Sequence, residues 1–177
     1  MINTKPILFL DIDGVVNTLM IYNEPMEECD RGKISRDGYY FVLCYPSDKK
    51  VSNKQAVLWL SKTCEYIGCD IVISSSWRMG HTTEEIADCL YNSGLSRNIK
   101  VIGQTPVIWD AGSQRGDEIQ KWIDDNKFRG RFFIVDDDTD MAHLKNKLIK
   151  CDVNTGFNYQ QYYDIITLFE KESDFCE

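Results

Sequence analysis

An uninterrupted apolar run, Ile7-Leu8-Phe9-Leu10, passes directly into two carboxylates and a glycine, Asp11-Ile12-Asp13-Gly14. Four apolar residues without alternation suit a strand buried on both faces of a parallel sheet. Gly14 can turn the chain sharply, because it tolerates backbone angles closed to other residues. Asp11 and Asp13 then fall at the carboxyl end of a central strand, where open α/β sheets hold their ligands.

The rest of the chain alternates between the two periodicities. A helix is expected over 53–67, with Val57, Leu60, Cys64 and Ile67 near one face and Gly68 as its stop. Asp70-Ile71-Val72-Ile73 reads as a second strand that opens into Ser74-Ser75-Ser76-Trp77-Arg78. Thr82-Thr83-Glu84-Glu85 is a capping box for a helix carrying Ile86, Cys89 and Leu90, which Asn92-Ser93-Gly94 ends. A third strand at 100–103 and a loop at 104–114 precede a helix at about 114–125 that packs Ile119, Trp122 and Ile123. Phe132-Phe133-Ile134-Val135 is a fourth strand, running into Asp136-Asp137-Asp138-Thr139-Asp140, and 148–151 a fifth. A closing helix over 158–170 buries Ile165, Leu168 and Phe169. Strands alternating with helices predict an α/β fold with a doubly wound, mainly parallel sheet.

At 177 residues, 43% of them hydrophobic, the chain is expected to form one domain over 1–177. Residues 18–50 depart from the pattern. Glu24 to Lys33 is a polar loop, and Tyr39 to Tyr45 has the aromatic and β-branched content of a strand. This stretch is expected to be a minimal cap or flap over the sheet ends.

The net charge of −8 argues against a passive nucleic-acid coat or an anionic membrane surface as partner. No apolar run approaches the roughly 18 residues needed to span a bilayer, and the first residues lack a signal-peptide pattern. Seven scattered cysteines, with no Cys-x-x-Cys, read as reduced packing thiols of a cytoplasmic protein and not as a zinc site. His81 and His143 are the only histidines, and neither has the motif a serine nucleophile would need.

Three apolar strands thus end in polar clusters: Asp11-x-Asp13, Ser74-Ser75-Ser76 and Asp136-Asp137-Asp138. Parallel neighbours would gather them at one edge. Two bare charges ~4 Å apart repel by about 4 kcal/mol at an effective dielectric near 20. Such a cluster needs protons or a cation, and hard oxygen ligands without histidine or cysteine favour Mg²⁺. Mg²⁺ in turn favours a substrate that brings phosphate.

The succession Asp11-Ile-Asp13-Gly14-Val15, a strand ending in Ser74, a basic residue and Asp136-Asp137 resembles the haloacid dehalogenase (HAD) superfamily. The likeness is closer to small HAD domains found alone or within RNA-repair proteins. It rests on Ser-Ser-Trp-Arg (Ser75–Arg78), Gln104-Thr105-Pro106, Arg-Gly-x-Glu-Ile (Arg115–Ile119) and Asp136-Asp137-Asp138-x-Asp140-Met141, and covers roughly residues 6–170.

The resemblance implies a HAD-like Rossmannoid fold and a set of roles. Asp11 would be the nucleophile and Asp13 the general acid and base. Ser74, or alternatively Ser75, would bind the phosphoryl group. Arg115 would be the third-motif cation, with Lys121 and Arg129 as alternatives, and Arg78 would contact phosphate or form a salt bridge. Mg²⁺ would sit on Asp11, the Asp13 backbone carbonyl and Asp136, with Asp137 or Asp140 close by. An acid at Asp13 implies a phosphatase or phosphotransferase. The expected substrate is a nucleotide, a nucleic-acid end phosphate or another small phosphomonoester. The rival expectations are a non-catalytic domain that binds a phospho-ligand or a protein, and an end-processing module working with a partner enzyme.

Overall fold

The computed structural model describes residues 5–18 and 53–174. The expected flap at 18–50 lies, but for its first residue, outside the described residues. Within them, five strands form one sheet: β1 (Ile7–Leu10), β2 (Asp70–Ile73), β3 (Val101–Gln104), β4 (Phe132–Asp136) and β5 (Leu148–Lys150). Four helices accompany it: α1 (Lys54–Ile67), α2 (Thr83–Ser93), α3 (Arg115–Asp125) and α4 (Tyr159–Asp174).

The strand order is β3-β2-β1-β4-β5, and every pairing is parallel. The order reverses at β1, so β1 is central and its carboxyl end opens at the switch point. Its residues alternate between two cores. Leu8 and Leu10 join Ile71, Ile73, Phe133 and Val135 on the face covered by α1, α2 and α4. Ile7 and Phe9 join Val72 and Ile134 on the face covered by α3 and a 3-10 turn at Ala142–Lys147. Phe9 meets Trp122 and Phe132 edge-on, with ring centroids 5.5 and 5.7 Å away. Both faces of every β1 residue are buried, as an apolar run without alternation requires.

The helix limits follow local chemistry. The Asn53 side chain accepts from the Ala56 N–H at 3.0 Å to start α1, and Gly68 ends it in the left-handed region at φ +67°. Thr82 and Glu85 form the reciprocal capping box of α2. Among the described residues there are two 3-10 turns that the sequence does not announce. One, Ser76–Met79, begins where the Ser75 side chain accepts from the Trp77 N–H at 3.4 Å. Such turns are too short to carry a hydrophobic period.

Candidate active site

The register aligns the strand ends. Leu10 pairs with Ile73 and Val135, and Ile73 pairs with Gln104. One residue further, Asp136, Asp11, Ser74 and Thr105 stand in a row, all buried. The row is held by backbone bonds: Asp11 N–H to Val135, Ser74 N–H to Leu10 and Thr105 N–H to Ile73, at 2.9–3.0 Å.

After Asp11 the chain curls. The Val16 and Asn17 N–H groups donate to the Ile12 carbonyl at 2.9 Å, and the Gly14 N–H donates to the Asn17 carbonyl at 2.7 Å. Gly14 sits at φ +77°, and a Cβ there would lie 2.3 Å from Asp137 Cγ. Glycine is therefore needed both for the turn and for the approach of Asp137. The curl brings Asn17 Nδ2 to Asp13 Oδ1 at 3.0 Å, while Trp77 Nε1 reaches Asp13 Oδ2 at 3.0 Å. Both oxygens of Asp13 are thus held by donors.

Asp11, Asp136 and Asp137 each offer a carboxylate oxygen, and these oxygens lie within 4.8 Å of one another. Burial, and next the Asp136 charge, push Asp11 up to about 8 against the pull of Arg115. Burial pushes Asp136 up to about 6, again with Arg115 opposing. Burial also raises Asp13 and Asp137. Asp136 Oδ2 is buried and accepts no hydrogen bond. A cluster of hard carboxylate oxygens, each carboxyl pushed up by burial and with one buried lone-pair atom unserved, fits a divalent cation. Asp140 is not one of this trio; its Oδ2 accepts from the Arg115 backbone N–H at 3.3 Å, and its charge adds to the rise of Asp136.

Of the three candidate cations, Arg115 reaches the site. Its Nη1 donates to Asp11 Oδ1 at 3.1 Å and to the Ser74 carbonyl, and its Nε lies 3.7 Å from Asp136 Oδ2. Burial works against the Arg115 charge, but Asp11, Asp136 and Asp140 outweigh it and hold the guanidinium above its ordinary value. Lys121 instead pairs with Asp125 on the exposed side of α3, and Arg129 is exposed and bonds the Phe128 carbonyl. Gly116 allows α3 to dock this closely, since a Cβ there would meet the Met141 carbonyl oxygen at 2.1 Å.

The two serines differ. Ser75 Oγ accepts from the Trp77 N–H and its hydroxyl pulls Asp11 down, whereas Ser74 Oγ is buried with no partner. Arg78 is in a salt bridge: Nη2 pairs with Glu118, and Nη1 donates to the Ser74 and Ser75 carbonyls at 2.8 and 2.6 Å. His143 is exposed against Gln120, and His81 lies 3.7 Å from Glu85. Asn17, Trp77 and Glu118 are site residues that the sequence reading did not single out as such. For Trp77 and Glu118 the available signal is their place inside the Ser-Ser-Trp-Arg and Arg-Gly-x-Glu-Ile segments, whereas Asn17 lies in neither.

No helix among the described residues is long and apolar enough to cross a membrane. No curated protein matches the chain. The family model for the HAD domain in Swiss Army Knife RNA repair proteins matches residues 7–162.

Proposed function

The chain belongs to the family of HAD domains in Swiss Army Knife RNA repair proteins, and on that footing we propose that it is a Mg²⁺-dependent phosphomonoester hydrolase. The observation that carries this reading is the setting of Asp11. Its carboxylate lies 3.1 Å from Arg115 and within 4.8 Å of Asp136 and Asp137, at the open end of the central strand.

In the proposed reaction an Asp11 carboxylate oxygen attacks phosphorus in line, and the ester P–O bond breaks. Asp13 donates its proton to the leaving oxygen. Asp13 then takes a proton from water, whose oxygen attacks the aspartyl-phosphate, releasing inorganic phosphate and restoring the Asp11 carboxylate. Arg115 and the Ser75 hydroxyl orient Asp11, and with Ser74 they are the donors available to the transferring phosphoryl oxygens. Asp11, Asp136, Asp137 and the Asp13 backbone carbonyl, with Asp140 close by, would hold Mg²⁺, whose charge when bound offsets repulsion between Asp11 and an anionic phosphoryl group.

The substrate is a nucleotide or a nucleic-acid end phosphate, a choice supported by the RNA-repair context of the family. The net charge of −8 favours a short or terminal substrate over tight binding of a long polynucleotide. The same context supports a second reading, an end-processing module working beside a partner enzyme. Cys64, Cys69, Cys89 and Cys151 are buried and in no disulfide, which supports a reducing, cytoplasmic setting.

The test is phosphate release from nucleoside monophosphates, sugar phosphates and 3′- or 5′-phosphorylated oligonucleotides, with Mg²⁺ and with chelator, beside Asp11→Asn. Mg²⁺-dependent release lost in the variant is the expected result. Equal release by both proteins would remove Asp11 as nucleophile. Binding without turnover would favour a non-catalytic domain.

A further inference from the structure

Glu118 is a buried carboxylate one turn beyond Arg115 on α3, 8% exposed. Both its oxygens are engaged. Oε1 accepts from the Ile108 N–H at 3.1 Å, and Oε2 pairs with Arg78 Nη2. Arg78 in turn spans two consecutive carbonyls, those of Ser74 and Ser75. The Ser74 carbonyl also takes the same Arg115 nitrogen that holds Asp11. One buried ion pair therefore ties three segments together: the loop before α3, α3 itself and the end of β2. That end of β2 carries Ser75, whose hydroxyl lowers Asp11, and leads into Trp77, whose indole N–H donates to Asp13.

A buried ion pair gives little net stability, because desolvation offsets most of its attraction. Its use here is geometric. Nη1 and Nη2 are engaged by protein groups, Nε is buried with no partner, and the side chain is only 5% exposed, so Arg78 faces the protein interior. We propose that Arg78 and Glu118 form a positioning pair: Glu118 orients Arg78, and Arg78 fixes the Ser74–Ser75 carbonyls so that the Ser75 hydroxyl, Arg115 and Trp77 meet Asp11 and Asp13. Neither residue touches the reacting atoms. The kinetic part of this inference rests on the phosphatase reading, and the structural part does not.

The experiment pairs steady-state kinetics with the ¹⁵N-indole resonances of the four tryptophans, the Trp77 signal being assigned by Trp77→Phe. Glu118→Gln removes the charge at constant size. Arg78→Lys keeps the charge but cannot span both carbonyls. Each should lower kcat by about ten- to a hundredfold while KM stays within about threefold, because groups are misplaced and not removed. Each should also shift the Trp77 indole resonance. The double variant should be no slower than the slower single one, as two members of one unit require. Unchanged kcat with an unmoved Trp77 resonance, or losses that multiply in the double variant, would overturn the pair. If the wild type itself turns over nothing, the phosphatase reading falls, and the Trp77 resonance alone decides the positioning role. If Glu118→Gln does not fold, Arg78→Lys carries the same comparison.

Discussion

The indole N–H of Trp77 donates to Asp13 Oδ2 at 3.0 Å, and Asn17 Nδ2 serves the other oxygen at the same distance. The general acid of the proposed reaction is thus held by the 3-10 turn after β2 and by the curl after β1. Burial raises Asp13, while these two donors and Arg115 pull against it.

Trp77→Phe removes the donor and keeps most of the packing. A hydrogen bond to a charged acceptor contributes about 1.5–3 kcal/mol, which corresponds to about a ten- to hundredfold fall in rate if it is lost at the transition state. The expected outcome is that fall in kcat, with a smaller change in thermal stability. Steady-state kinetics beside a melting curve checks it. A melting loss with kcat untouched would make Trp77 a packing residue only.

The cation cluster predicts a proton exchange. In the cation-free protein Asp11 stands near 8 and Asp136 near 6, both above the ordinary 3.8. For Asp11 the folded protein keeps a proton that the unfolded chain has released. Its contribution to stability is therefore full below pH 3.8 and is lost as the pH rises through about 8. A divalent cation must displace those protons. Mg²⁺ affinity should therefore rise from pH 6 to pH 8, by roughly tenfold per proton displaced per pH unit, and binding should release protons. Calorimetry in buffers of different ionisation enthalpy measures both. Affinity independent of pH over this range would take Asp11 out of the ligand set.

Gly14→Ala tests the curl. An alanine at φ +77° is strained by about 1–2 kcal/mol, and its Cβ would lie 2.3 Å from Asp137 Cγ and 2.4 Å from Oδ2. Either the turn or the Asp137 side chain must shift. The expected result is a stability loss of about 1–3 kcal/mol together with weaker Mg²⁺ binding, read by denaturant midpoint and calorimetry. Stability lost with cation affinity intact would mean that Asp137 moves freely and is not held for the cation.

The course of the fold was legible because each strand is a short apolar run with a chemical signal at its end. Ile7–Leu10 and Phe133–Val135 are buried on both faces, so their lack of alternation reads correctly. The capping box at Thr82 and the stop at Gly68 are local signals and appear where the sequence puts them. The strand-end acids were legible for the same reason. What a linear reading could not settle is which partner a long side chain chooses. Arg78 carries the same charge whether it meets a phosphate or Glu118, which lies 40 residues away. Ser74 and Ser75 differ only by which hydroxyl turns toward Asp11, a matter of backbone direction at the end of β2. Trp77 reads as packing until its indole N–H is seen against Asp13. Glu118 hides within a helical period, because a buried carboxylate there has meaning only once Arg78 and the Ile108 N–H stand beside it.

The sharpest test of the site concerns α3. Arg115 and Lys121 lie on the same helix, but only Arg115 reaches Asp11, Asp136 and the Ser74 carbonyl. Lys121 is exposed, 3.1 Å from Asp125 in an i,i+4 pair. Such pairs stabilise a helix by only about 0.3–0.5 kcal/mol. Removing a preorganised donor of transition-state charge costs about 10²–10³ in kcat. Arg115→Ala should therefore lose that much, while Lys121→Ala should be indistinguishable from wild type in both kcat and melting temperature. Arg115→Lys should recover only part of the loss, because an ammonium cannot serve Asp11, Asp136 and the Ser74 carbonyl with one planar fork. Full recovery by lysine would show that charge alone is needed at this position. A loss in Lys121→Ala with Arg115→Ala unaffected would place the motif cation nearly two turns further along α3 and remove Arg115 from the site.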